Sequence, residues 1–327
     1  MTSHEDSNKN DYNFNDVIQQ IQDSGISSIC RTINKFNQIM DDDNVNSKNR
    51  DLENLVKNDL SLATEVLKIA NSPLFRSVNK QGIDNIGKAI IIIGWDTIYK
   101  IGMSLTVKGL IKTAKARTFA NWMITRAITI AHISEIFLES LKSYNDKLAE
   151  INTIYAYGLL HDIGAMGLLQ VIEHYQQDVI GIKLADDRKT WSDAEQVIYG
   201  FDHNIVGEQI LLGSQLPISF SFVARYHHYP DSNKYSANDA KRIALIRLAQ
   251  AALVDKHKFS EHEAFYNFLS IEEPDLIRNY ENLSETLQAE FEEHLGINSQ
   301  IYDEIKTTKL TDEFIDKIMQ QFQNSSI

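Results

Sequence analysis

The stretch Ile154–Ile172, "IYAYGLLHDIGAMGLLQVI", sets His161 and Asp162 side by side in an otherwise apolar run. With its flanks it extends over residues 148–175 as one long segment with the apolar spacing of an amphipathic helix. An imidazole nitrogen and a carboxylate oxygen suit a divalent metal. The same pair between two helices could instead hold a buried hydrogen-bond network. The dipeptide alone leaves both readings open.

Working outward, the helical pattern continues on both sides. Residues 118–141, "TFANWMITRAITIAHISEIFLESL", form a second long segment, and the polar "KSYNDK" between the two predicts a connection that lets them pack antiparallel. Nearer the N-terminus, Val17, Ile18 and Ile21 share one face before a break at Gly25, after which Ile26, Ile29, Ile33 and Phe36 resume it. Residues 41–50, "DDDNVNSKNR", read as a polar connection. The spacing over 52–69 predicts two short helices with Asp59 or Ser61 as a cap, and Pro73 turns the chain at Ser72. The run Ala89–Ile93, "AIIII", could be strand or helix, and its context favours helix, with Gly94 parting two helices and Asp96 capping the second. Further helices are expected at about 192–213, 217–229 and 238–254.

The composition agrees with an all-α chain. Only 4 prolines and 14 glycines in 327 residues leave few helix breaks, and 43% hydrophobic residues can fill a sizeable core. A formal charge of −13 opposes a broad electrostatic hold on nucleic acid. The single Cys30 excludes an intramolecular disulfide and reads as a core thiol. The first residues lack the apolar centre of a secretory signal, and no apolar run approaches the roughly 18 residues a membrane span needs, so the expectation is a cytoplasmic protein. Residues 1–15 read as a flexible leader, 16–255 as helical throughout, and 256–327 as an acidic helical extension.

Downstream of the His-Asp pair, "GFDHNIVGEQILLGSQLPISFSFVARYHHYP" adds His203, His227 and His228. The ordered set "DLSLATEVLKIANSPLF", "IDNIGKAIIIIGWDTIYKIGMSL", "NWMITRA", "AYGLLHDIG", "DHNIVGEQIL", "LPISFSFVARYHHYP" and "RIALIRLAQAA", over about residues 50–255, resembles the HDOD family, HD-related output domains of bacterial signalling proteins. The resemblance implies an all-helical fold, an N-terminal helical part of about 16–115 joined to an HD-like part of about 116–255 with a degenerate HD-type core. Catalytic HD phosphohydrolases hold metal with an early His, the His-Asp pair and a later Asp, so that bound water can attack phosphorus. Here Ile124, or neighbouring Thr125, stands at the early His position and Gln250 at the later Asp position. An amide is a poorer metal ligand than a carboxylate. His132, 29 positions before His161, is an alternative ligand, although a His in such a helix is more often a packed or surface residue. The related HD-GYP phosphodiesterases need a Gly-Tyr-Pro region and a Lys after the His-Asp pair, and "HHYPDSNKY" and "HDIGA" lack both.

Several of these residues have structural readings too: Asp202 as a helix cap, His227 and His228 as a helix terminus, and Trp95, Trp122 and Trp191 as core anchors. The resulting expectation is a non-catalytic bacterial regulatory protein that binds a protein partner or a nucleotide or other small ligand and is capable of self-association, with nucleic acid disfavoured. The competing readings are a metal-dependent phosphohydrolase and a nucleotide sensor that does not hydrolyse. A divalent metal is the one candidate cofactor, with His161, Asp162, His203, His227, His228 and His132 as its candidate ligands.

Overall fold

A computed structural model describes residues 12–72, 82–114, 117–151, 154–185 and 190–258, and these fold into helices with no strand among them. The chain opens with α1 (Phe14–Ile21), a π-helical turn (Gln22–Ile26) and α2 (Ser27–Met40). Gly25, at φ 97°, makes the bend where the sequence pattern breaks. α3 (Val45–Lys57) starts earlier than the polar composition suggested, because Asn44 accepts from the backbone of Asn46 and Ser47, and Leu52 and Val56 anchor one face. The connection is therefore only residues 41–44. α4 (Leu60–Ala70) is capped by Asp59.

The isoleucine run is helical, as α5 (Ile86–Ile93), with Ile86, Ala89, Ile90 and Ile93 buried at helical spacing while Ile91 faces outward. Gly94, at φ 88°, joins it to α6 (Trp95–Thr113), and Asp96 is not the cap: it lies in the first turn and pairs with Lys100 at 2.7 Å. Phe36 of α2 sits against Gly102 of α6, where a Cβ would lie 2.1 Å from the ring, so these helices meet at a position only glycine fills.

The HD-like half is built on α7 (Arg117–Leu141), which packs against α8 (Tyr155–Leu160) and α14 (Ala237–Lys258). The long segment around the His-Asp pair is not one helix. It breaks at His161 and Asp162, and α9 (Ile163–Val171) follows. Then come α10 (Tyr175–Ala185), α11 (Trp191–Tyr199), α12 (His203–Leu212) and α13 (Ser219–Tyr226). Gly200, at φ 78°, splits the predicted 192–213 helix into α11 and α12. Asp202 caps α12 by accepting from Ile205 N at 2.9 Å.

α1 packs on α9 and α12, in the HD-like half, although it precedes the N-terminal helices in sequence. Tyr12 and Phe14 make edge-to-face contacts with Tyr199 and Phe201, so the chain is held from Tyr12 onward, inside the stretch read as leader. No single helix among the described residues is long and apolar enough to cross a membrane. The acidic segment 259–327 and the Pro73 turn lie outside the described residues.

Candidate metal-like centre and its resident arginine

The helix break places the site. At the joint of α8 and α9, His161 and Asp162 turn inward instead of continuing either helix. Gly164 then lets α9 touch α12: a Cβ there would lie 1.9 Å from His203 O and 2.5 Å from Gly207 N. This close crossing brings Asp162 and His203 together. The end of α13 delivers His227, and the backbone carbonyls of His227 and His228 accept from Arg247 of α14 at 2.8 and 2.9 Å.

Asp162, His203, His227 and His228 each offer one ligand atom, and these atoms lie within 4.8 Å of one another. Asp162 Oδ1 is 3.0 Å from His227 Nε2 and 3.8 Å from His203 Nε2, and His203 Nε2 is 3.1 Å from His228 Nε2. The second ring nitrogens are held from outside. His227 Nδ1 donates to Ala224 O at 3.0 Å, and His203 Nδ1 meets Glu195 Oε2 at 2.7 Å. His161 Nδ1 donates to Gly158 O at 2.6 Å, and its Nε2 lies 2.9 Å from Asp162 Oδ2 and 3.0 Å from Arg126 Nη1.

Arg126 is the residue the sequence reading missed. Its guanidinium donates to Asp162 Oδ2 and lies against His161 Nε2, and the residue is only 1% exposed. Ile124 is packed in the core, and Thr125 bonds back to Asn121 O at 2.8 Å, so it is Arg126, one position further along α7, that reaches the His-Asp pair. A lone Arg in the apolar run "MITRAITIAHI" was the available signal, since a buried cation requires a buried partner. Glu195 was also missed. It accepts from His203 N and His203 Nδ1 with one oxygen and from Tyr175 OH with the other, while Trp191 Nε1 donates to Tyr175 OH at 2.8 Å. In the sequence it is one of several polar residues of a capped helix, with nothing to mark it as buried.

Charge follows from these contacts. Burial alone would raise the Asp162 carboxyl, but His161 and Arg126 beside it hold it well below the usual range. Burial alone would strip His203 of its proton, but the Glu195 carboxylate overrides this and raises it to about 10. His227 is pushed well down by burial and by adjacent His228. His132 stands apart from the cluster: its ring lies edge-to-face on Tyr155, and burial lowers it to about 4. Gln250 is buried on α14.

Three imidazoles and one carboxylate are a suitable donor set for a divalent ion in type and spacing. The resident guanidinium opposes one. Asp162 is the only carboxylate in the set, and Arg126 already neutralises it in a region closed to solvent. His161, Asp162, His203 and His227 are all buried, and His228 alone is partly open. As arranged, the cluster offers the donors of a divalent site, with one oxygen of its carboxylate taken by the guanidinium.

Comparison with known proteins gives the fold an independent reference. No curated protein sequence matches the chain. Among solved structures, an HDOD domain protein from Geobacter sulfurreducens is similar at 18% identity and TM-score 0.63, over 94% of this chain and 91% of its own. A candidate signal transduction protein from Marinobacter aquaeolei VT8 is similar at 17% identity and TM-score 0.54, over 90% of this chain and 68% of its own. A candidate phosphohydrolase from Shewanella amazonensis SB2B is similar at 14% identity and TM-score 0.54, over 93% of this chain and 97% of its own. At these identities the likeness is one of fold. The family model of the HDOD domain matches residues 26–230, well over half of the chain, and the protein belongs to the HDOD family.

Proposed function

We propose that the protein is a non-catalytic regulatory HDOD protein of the bacterial cytoplasm, acting through a protein partner or a small ligand. The observation that carries this reading is the Arg126 guanidinium on Asp162. Metal-assisted hydrolysis needs a cation that polarises water and phosphate and an open coordination position that substrate can reach. A guanidinium neutralises the carboxylate but has no such position, and the atoms around it are buried. The names of the Marinobacter and Shewanella structures point to a signalling role and a hydrolytic role respectively, so the choice between them rests on the site. On this reading residues 16–255 form the HDOD domain and 256–327 an acidic C-terminal extension to it.

The test is metal content after incubation with Mn2+, Fe2+, Mg2+ or Zn2+ and removal of loose ions, followed by a phosphoester screen. The expected result is no retained metal and no hydrolysis. About one ion per chain, lost in His161→Ala, together with phosphodiesterase or nucleotidase activity, would establish the hydrolytic alternative instead. Saturable nucleotide binding with the nucleotide recovered unchanged would assign the ligand class.

A further inference from the structure

We infer that Arg126 is a built-in substitute for a metal ion, and that removing its charge opens a divalent-cation site made of Asp162, His203, His227 and His228. The inference rests on the non-catalytic reading and deepens it, because it explains how an HD-type cluster persists without metal.

The geometry carries the argument. Asp162 divides its oxygens: Oδ2 takes the guanidinium, and Oδ1 faces His227 Nε2 at 3.0 Å and His203 Nε2 at 3.8 Å. Metal bonds of about 2.1 Å place neighbouring ligand atoms roughly 3.0–3.4 Å apart, so the Oδ1 side already has nearly the separations of a coordination shell. The rings are also aimed for it. Ala224 O and Glu195 Oε2 hold the far nitrogens of His227 and His203, so their Nε2 atoms point inward, as in metal sites whose outer partners fix the imidazoles.

What opposes a metal is charge. Arg126 cannot be deprotonated and is tethered, so it is always present at Asp162. A divalent ion on Oδ1 and a guanidinium on Oδ2 would share a single negative charge while repelling each other across a few ångströms of solvent-excluded protein. Only one of them can be stably accommodated. Without the guanidinium, Asp162 is a buried carboxylate lacking its permanent counter-charge, flanked by three inward-facing imidazoles, and a divalent ion answers that need.

The experiment compares the wild type with Arg126→Gln, Arg126→Lys and the double variant Arg126→Gln/Asp162→Asn, each incubated with Co2+ or Zn2+ and then freed of loose ions. The readouts are metal per chain, the visible absorption of bound Co2+, and the shift in Tm on adding the ion. Arg126→Gln should rise roughly tenfold over wild type, to about one ion per chain, with a Co2+ spectrum and a raised Tm. Wild type, Arg126→Lys and the double variant should gain none of these. A folded Arg126→Gln protein without metal, or a double variant that binds as much as the single one, would overturn the inference. If Arg126→Gln does not fold alone, refolding with Co2+ decides: recovery supports the inference and failure overturns it. Metal in the wild type would overturn the inference as well, whereas only phosphoester hydrolysis by the wild type would overturn the non-catalytic reading, so metal content and activity tell the two failures apart.

Discussion

Asp162 and Glu195 are two carboxylates buried within the same half of the molecule and neutralised by different means. Asp162 lies at a helix break and is met by a permanent cation, Arg126, with His161 and His227 beside it. Glu195 lies within α11 and is met by a titrating ring, a backbone N–H and a phenol, from His203 and Tyr175. The permanent cation cannot leave by losing a proton, so it fixes the electrostatics of the pocket at every physiological pH. The titrating partner fixes orientation, and its charge depends on the solvent. One pocket therefore contains a rigid ion pair and a pH-dependent one, joined through His203 Nε2, 3.8 Å from Asp162 Oδ1.

The largest effect should come from breaking the rigid pair. Asp162→Ala strands the Arg126 guanidinium, which is 1% exposed, and should cost about 3–5 kcal/mol in urea unfolding. Glu195→Gln retains shape and an acceptor oxygen, and should cost about 1–3 kcal/mol. Equal losses in the two variants would abolish the distinction drawn between the pairs.

The same contrast explains what could be read without coordinates. His161, Asp162, His203, His227 and His228 were legible because their residue types and order resemble a family pattern, and Asp202 because a capping residue stood before an apolar run. The all-helical fold followed from periodicity and the scarcity of proline. The breaks did not. An apolar segment of helical spacing does not reveal that it bends at His161 and Asp162, because the bend depends on α12 approaching Gly164 from 39 positions later at His203. Arg126 stood two positions from Ile124, and it is the path of α7 past Asp162 that makes this arginine the relevant residue. Glu195 carried no mark, since its partners Tyr175 and His203 lie 20 and 8 residues away on other helices.

Separating the two pairs without touching either should have an intermediate effect. Gly164→Ala puts a Cβ 1.9 Å from His203 O and 2.5 Å from Gly207 N, both backbone atoms that move only if α9 and α12 part. The expected cost is about 1–3 kcal/mol, accompanied by weakened contact between Asp162 and His203. Gly181→Ala in α10 is the control: its Cβ would meet nothing within 4 Å, and helix propensity should make it neutral or stabilising by about 0.5–1 kcal/mol. If Gly164→Ala unfolds with the wild-type midpoint, the close crossing of α9 and α12 is not what holds the pocket together.

The smallest effect per step is the one pH should produce in the titrating pair alone. His203 has an ordinary value of 6.5 and is raised to about 10 beside Glu195. Its folded value exceeds its unfolded one, so its contribution is complete below pH 6.5 and is lost as pH rises toward 10. One proton limits the slope to about 1.4 kcal/mol per pH unit. The window from pH 6.5 to 8.5 isolates it, because Cys30 and the raised tyrosines have ordinary values of 9.0 and 10.0. Asp162 has its ordinary value at 3.8 and its folded value below that, so its contribution is complete throughout the window and is lost only in acid. His227 is lowered on folding, so its influence acts below pH 6.5 and in the opposite direction. Urea unfolding of the wild type should therefore show stability falling across the window. Glu195→Gln removes the charge that raises His203 and should flatten the fall, while Gly181→Ala should leave the slope unchanged. A Glu195→Gln slope as steep as that of the wild type would place the titrating charge elsewhere and leave Arg126 as the pocket's only buried cation.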